Sequence, residues 1–190
     1  MSLLTEFENL YAQLQSLHDA LTALRVTIVE DRPVEGSDVL LLDAFGDAVE
    51  DAVGWLEESL AAVEQPATRE TKLEPSFDVN RARQSLVFCQ ERFNRIAHRF
   101  STDLISYERI AELLRLGRER RGEWQVWARS VKESLDGCQQ HLYDTNQSLF
   151  RCWQEIAERV GMSSVSVHAT NIGQQVTVPT TPELSIEGVT

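Results

Sequence analysis

Nowhere in these 190 residues do apolar side chains run for the ~18 consecutive positions that a membrane-spanning helix needs. The N-terminus also lacks the basic start, apolar block and small-residue cleavage site of a secretory signal, so the expected location is the cytoplasm, with no membrane partner. Cysteine is scarce: Cys89, Cys138 and Cys152, an odd number with no CxxC pair. That pattern points to buried free thiols acting as small hydrophobes, with a catalytic thiol or a metal ligand as the alternative. Gly-rich phosphate loops are missing, as is a Gly-x-Ser-x-Gly elbow, and the histidines are scattered. A di-iron bundle would need Glu-x-x-His on two helices. Gln15, Arg95 and Cys138 stand three residues before His18, His98 and His141, so that motif is absent. Cys138 and His141 share a helix face, but two ligands are half a zinc site. No metal and no cofactor are expected.

The net charge of −12 disfavours a nucleic-acid partner, yet it is unevenly distributed. From Glu30 to Glu64 there are eleven carboxylates and one base, Arg32, whereas from Arg81 to Lys132 there are twelve bases and six carboxylates. Two such regions either neutralise each other side by side or steer a partner.

What the chain does have is heptad rhythm. Leu3, Phe7, Leu10, Leu14, Leu17, Leu21, Leu24 and Ile28 alternate intervals of four and three, which predicts a helix over about 3–30. It stops before Pro33 and Gly36. A second seam, Leu42, Phe45, Val49, Ala52, Leu56, Ser59 and Val63, predicts a helix over about 37–64. Its Gly46 and Gly54, among alanines, read as sites of close helix approach. Residues 65–77, with Pro66 and Pro75 near their ends, read as a loop.

The third helix is expected over about 78–116, on the seam Val79, Ala82, Leu86, Cys89, Phe93, Ile96, Phe100, Leu104, Tyr107, Ala111 and Leu114. Two consecutive intervals of four, at Ile96, Phe100 and Leu104, form a stutter where a kink or short break fits. An arginine-rich corner, Arg115 to Arg121, with Gly117 and Gly122, turns the chain back. The fourth helix, about 121–160, carries the longest seam: Trp124, Ala128, Val131, Leu135, Cys138, Leu142, Thr145, Leu149, Cys152 and Ile156. The fold class is therefore all-α: an antiparallel four-helix bundle over 1–161, with two shorter N-terminal helices and two longer ones that extend as a hairpin.

Trp55, Trp127 and Trp153 fall one step off their seams, where they either widen the buried face or stand out as anchors for a partner. From Ser163 the period changes to two. Residues 162–190 form a tail that is β-prone or extended over 163–178 and polar with two prolines beyond. Val165, Val167, Ile172, Val176 and Val178 are its expected pairing residues, against a second copy or the sheet edge of another protein.

One string carries an enzymatic signal. Arg92-Phe-Asn-Arg-Ile-Ala-His98 resembles the Arg-x4–6-His motif of HEPN-type helical ribonucleases. The resemblance implies RNA cleavage, with His98 as general acid/base and Arg92 holding the phosphate. The leading expectation is nevertheless a non-enzymatic interaction module, meaning a scaffold, adaptor or small subunit of a larger assembly, with Trp127, Trp153 and the tail valines binding a protein partner or another copy.

Overall fold

The computed structural model describes residues 2–33, 39–68 and 78–160, and every regular element among them is helical. In chain order these are α1 (Leu3–Val29), α2 (Val39–Thr68), α3 (Val79–Arg99), a π-helical turn (Phe100–Leu104), α4 (Tyr107–Arg120) and α5 (Glu123–Val160). Residues 162–190, with the tail valines, lie outside the described residues.

Local chemistry sets the starts of these helices. Ser2 caps α1 by accepting from the Thr5 N–H at 3.2 Å. Asp78 caps α3, accepting from the N–H groups of Asn80 and Arg81. α2 continues to Thr68, past Pro66, so the expected boundary at 64 falls short by a turn. A proline this near a C-terminus removes one N–H donor and leaves the rest of the ladder intact.

The seams then do what their spacing asks. All eight seam residues of α1 are buried, as are the seam positions from Leu42 to Val63 on α2 and from Trp124 to Ile156 on α5. α1 lies between α2 and α5, α2 between α1 and α3, and α4 packs on α5. Contacts across the pairs fix their sense. Trp127 Nε1 donates to the Thr27 carbonyl at 2.8 Å, and Thr145 Oγ1 reaches the Gln13 carbonyl at 3.5 Å, so α1 and α5 are antiparallel. Arg25 with Glu50 and His18 with Glu57 make α1 and α2 antiparallel, and Glu58 with Arg92 and Asp51 with Arg99 do the same for α2 and α3. The Thr27–Trp127 contact also places the last turn of α1 close to the start of α5. The expected projection of a long hairpin is corrected, because α1 covers all but about the first turn at that end of α5.

The predicted third helix, 78–116, is two helices. At the stutter, the Ser101 and Thr102 hydroxyls donate to the His98 carbonyl at 2.8 and 3.0 Å, competing with the backbone amide for that acceptor. The chain widens into the π turn, and the Ile105 N–H bonds back to the Phe100 carbonyl at 2.9 Å. Ile105 and Ser106 then leave helical geometry, and Ser106 caps α4 by accepting from the Arg109 N–H. The phase of a repeat is not carried across non-helical residues. In α4 the buried face is Leu113, Leu116 and Gly117, and the seam residue Tyr107 is 88% exposed. The break also changes partners: α3 lies mainly on α2, and α4 on α5.

Gly117 explains how closely α4 can approach. A Cβ there would meet Ala128 Cβ at 2.9 Å and the Trp124 carbonyl oxygen at 3.3 Å. Gly46 and Gly54 do not play the close-packing part expected of them. A Cβ on Gly46 would make an ordinary 3.8 Å contact with Val29, and one on Gly54 would meet nothing within 4 Å. The α4–α5 turn is two residues long, with Arg121 at φ 57° and Gly122 at φ 55°. Arg121 therefore holds a conformation that an L side chain adopts at a cost.

Candidate functional site

Arg92 and His98 both lie on α3, before the π turn, six positions apart on a continuous helix. At ~100° per residue they point about 120° apart, and the helix break at the π turn comes after both, so it does not draw them together. Arg92 is also occupied: its guanidinium pairs with Glu58 of α2 and lies 4.3 Å from the centre of the Phe88 ring. His98 is exposed, and its carbonyl serves the Ser101 and Thr102 hydroxyls. Within the chain, the structure does not assemble the two side chains around one phosphate.

Trp127 and Trp153 are 6% and 2% exposed, which corrects their assignment as partner anchors. Each indole N–H is used internally: Trp127 donates to the Thr27 carbonyl, and Trp153 donates to Gln90 Oε1 at 3.3 Å. Gln90 in turn donates to Asn94 Oδ1 at 2.9 Å, a short polar chain at the α3–α5 contact. Trp124 and Trp127 pack edge to face, with ring centres 5.6 Å apart. The reason these rings lie off the seam is geometric. α5 meets α1, α4 and, more thinly, α3, so its buried face is wider than a two-position strip.

The thiols are equally withdrawn. Burial pushes Cys89 and Cys138 up to about 12, partly offset at Cys89 by a hydrogen bond with Ser59. Burial raises Cys152 further, with nearby negative charge at Glu6 adding to it. A nucleophilic or metal-binding cysteine needs the opposite shift, toward thiolate. Among the described residues there is no group of three or more side chains able to hold a metal ion, and no helix long and apolar enough to cross a membrane.

The acidic and basic regions meet. Asp51 and Glu58 of α2 pair with Arg99 and Arg92 of α3, while Asp43, Glu50 and Glu57 face Arg32, Arg25 and His18 on the other flank. Arg99 also bonds Asp103 inside the π turn at 2.7 Å, tying the turn to α2. Three buried polar atoms find no partner among the described residues: Glu6 Oε2, Thr22 Oγ1 and Arg99 Nε. Glu6 is 2% exposed in the first turn of α1, where the positive end of the helix dipole offsets part of its burial cost.

Sequence reasoning missed the apolar strip that the helix break turns outward on α4. Tyr107 is exposed, Ala111 and Leu114 are half-buried, and Glu108, Arg115 and Arg118 flank them. The stutter was the available signal. Comparison of the chain with protein families, curated proteins and solved structures returns no match.

Proposed function

We propose that the chain is a non-enzymatic interaction module of the cytoplasm, a scaffold, adaptor or assembly subunit. In this reading an antiparallel four-helix bundle over 1–161 carries a C-terminal docking segment, and α3, the π turn and α4 act together as its discontinuous third member. The observation supporting it is the completeness with which the helices use their own binding capacity. The seams of α1, α2 and α5 close on each other, both off-seam tryptophans of α5 are internal, and the thiols are buried and protonated. A further apolar pattern in the sequence is the period-two stretch 163–178, whose Val165, Val167, Ile172, Val176 and Val178 would add a strand to a second copy or to a partner's sheet edge.

The test compares the full chain with one ending at Gly161. Circular dichroism checks that helix content is kept, and light scattering measures the mass in solution. The expected result is a lower mass, or loss of a protein retained by the full chain. Unchanged mass together with unchanged partner retention removes the tail from the proposal.

A further inference from the structure

We infer that α4 is a self-association surface, pairing antiparallel with α4 of a second copy of this chain across a twofold axis. This contact is separate from the tail and stands or falls without it.

The strip in question is Tyr107, Ala111, Leu114 and Arg118, at intervals of four, three and four, on one shoulder of a fourteen-residue helix. Leu113, Leu116 and Gly117 hold the other side of α4 against α5, and the close Gly117–Ala128 approach fixes which side faces outward. Tyr107 is the most exposed of the large apolar side chains among the described residues. A phenol ring left in water beside two half-buried aliphatic residues is a small apolar surface without a cover from α5.

Charge order along the helix selects the occupant. Glu108 precedes the centre of the strip and Arg115 follows it, both on its solvent side. A parallel copy would leave Glu108 and Arg115 on opposite flanks of the seam from their counterparts, with no charged partner facing them. An antiparallel copy centred between Ala111 and Leu114 sets each Glu108 against the other copy's Arg115, and symmetry makes that pair twice. The same register layers Ala111 on Leu114 and brings the Arg118 guanidinium over the other copy's Tyr107 ring, a favourable cation–π placement. Arg115 now lies along its own helix between Glu112 at 3.9 Å and Glu119 at 2.6 Å. Those two pairs are surface contacts of small worth. A single helix of this length buries an area at the low end of specific interfaces, so the dimer is weak and concentration-dependent.

The discriminating experiment is sedimentation equilibrium on the full chain over a concentration series, with Glu108→Arg, Arg115→Glu and an equimolar mixture of the two. Circular dichroism checks that each variant keeps its helices. The wild type is expected to dimerise as concentration rises. Each variant alone places like charges together twice and should associate about tenfold more weakly. In the mixture every facing pair is again opposite in sign, and association should return to the wild-type level. Tyr107→Ala, at an exposed position, should weaken association without charge reversal. Wild type that stays monomeric throughout overturns the inference, as does a mixture no tighter than its components. Equal association of wild type and both single variants overturns it too, and in that case the tail remains the site of self-association.

Discussion

α5 and the stretch from α3 to α4 begin from nearly the same sequence pattern and end differently. Both carry a seam of ten or more positions, nearly all apolar, and both are about 40 residues long. α5 runs unbroken for 38 residues, and its whole seam is buried. The other stretch breaks at the stutter, and beyond the break its seam residues Tyr107, Ala111 and Leu114 give way to Leu113, Leu116 and Gly117. A hydrophobic repeat therefore predicts a face only as far as the helix is continuous. Two hydroxyls and a capping serine are enough to end its authority.

The largest expected effect separates these two regions directly. Leu135→Ala, fully buried on α5, should cost about 3 kcal/mol, while Leu114→Ala, half-buried beyond the break, should cost less than about 1. Urea unfolding of both variants measures the gap, and equal losses would mean that the two seams are alike after all.

Next is the junction between the regions. Gly117→Ala forces its new Cβ onto Ala128 and should destabilise by about 1–3 kcal/mol, with Ala128→Gly on the same chain relieving that one contact and recovering only part of it. Gly54→Ala, with open space around it, should stabilise by about 0.5–1 kcal/mol. If the Gly117 substitution is as harmless as the Gly54 one, α4 does not depend on close approach to α5.

A third test asks whether the two interiors are equally dry, since Cys89 sits on α3 and Cys138 on α5. Both thiols titrate near 12 in the folded chain against 9.0 when exposed, so folding holds their protons. Their contribution to stability is complete below pH 9 and is lost as the pH rises from 9 toward 12. Stability should therefore fall as the pH rises above 9, and more steeply than in Cys89→Ala or Cys138→Ala. Native thiols should resist an aromatic disulfide reagent at pH 8 until denaturant is added. A thiol that reacts at once marks the wetter region.

The smallest effect concerns the ion pair that joins α2 to α3. Arg92→Met keeps an apolar stem near Phe88 and removes the charge next to Glu58, and should cost less than about 1 kcal/mol. A loss of several kcal/mol would show Arg92 to be a structural keystone of α3.

How much of this was readable beforehand follows from how local each cause is. Leu3 to Ile28 were legible because the four-three spacing is itself the cause of their burial. The stutter at Phe100 was visible, but its outcome was not, since it depended on hydroxyls at Ser101 and Thr102 finding one carbonyl and on Ser106 restarting the helix. Glycine spacing misled at Gly46 and Gly54 because crowding is a property of the neighbour, and the crowded neighbour, Ala128, stands opposite Gly117. Trp127 and Trp153 were placed outside because a seam count treats a helix as having one partner strip, whereas α5 has a wider buried face. Arg92 looked available as a phosphate ligand because its partner, Glu58, lies 34 positions away in the chain.

The closing of α1 by α5 bears on the order in which the protein is made. Thr27 and Trp127 are 100 positions apart, and Gln13 and Thr145 are 132 apart. At ribosomal rates of about 5–20 residues per second, the leucine strip of α1 waits on the order of 5–25 seconds for its second cover. During that interval α2 is the one neighbour among the described helices of α1 that has already been translated, and the side destined for α5 is open to chaperones and proteases. A message truncated before residue 123 would make that interval permanent, so early-stopped chains should be cleared quickly rather than accumulate as half-bundles.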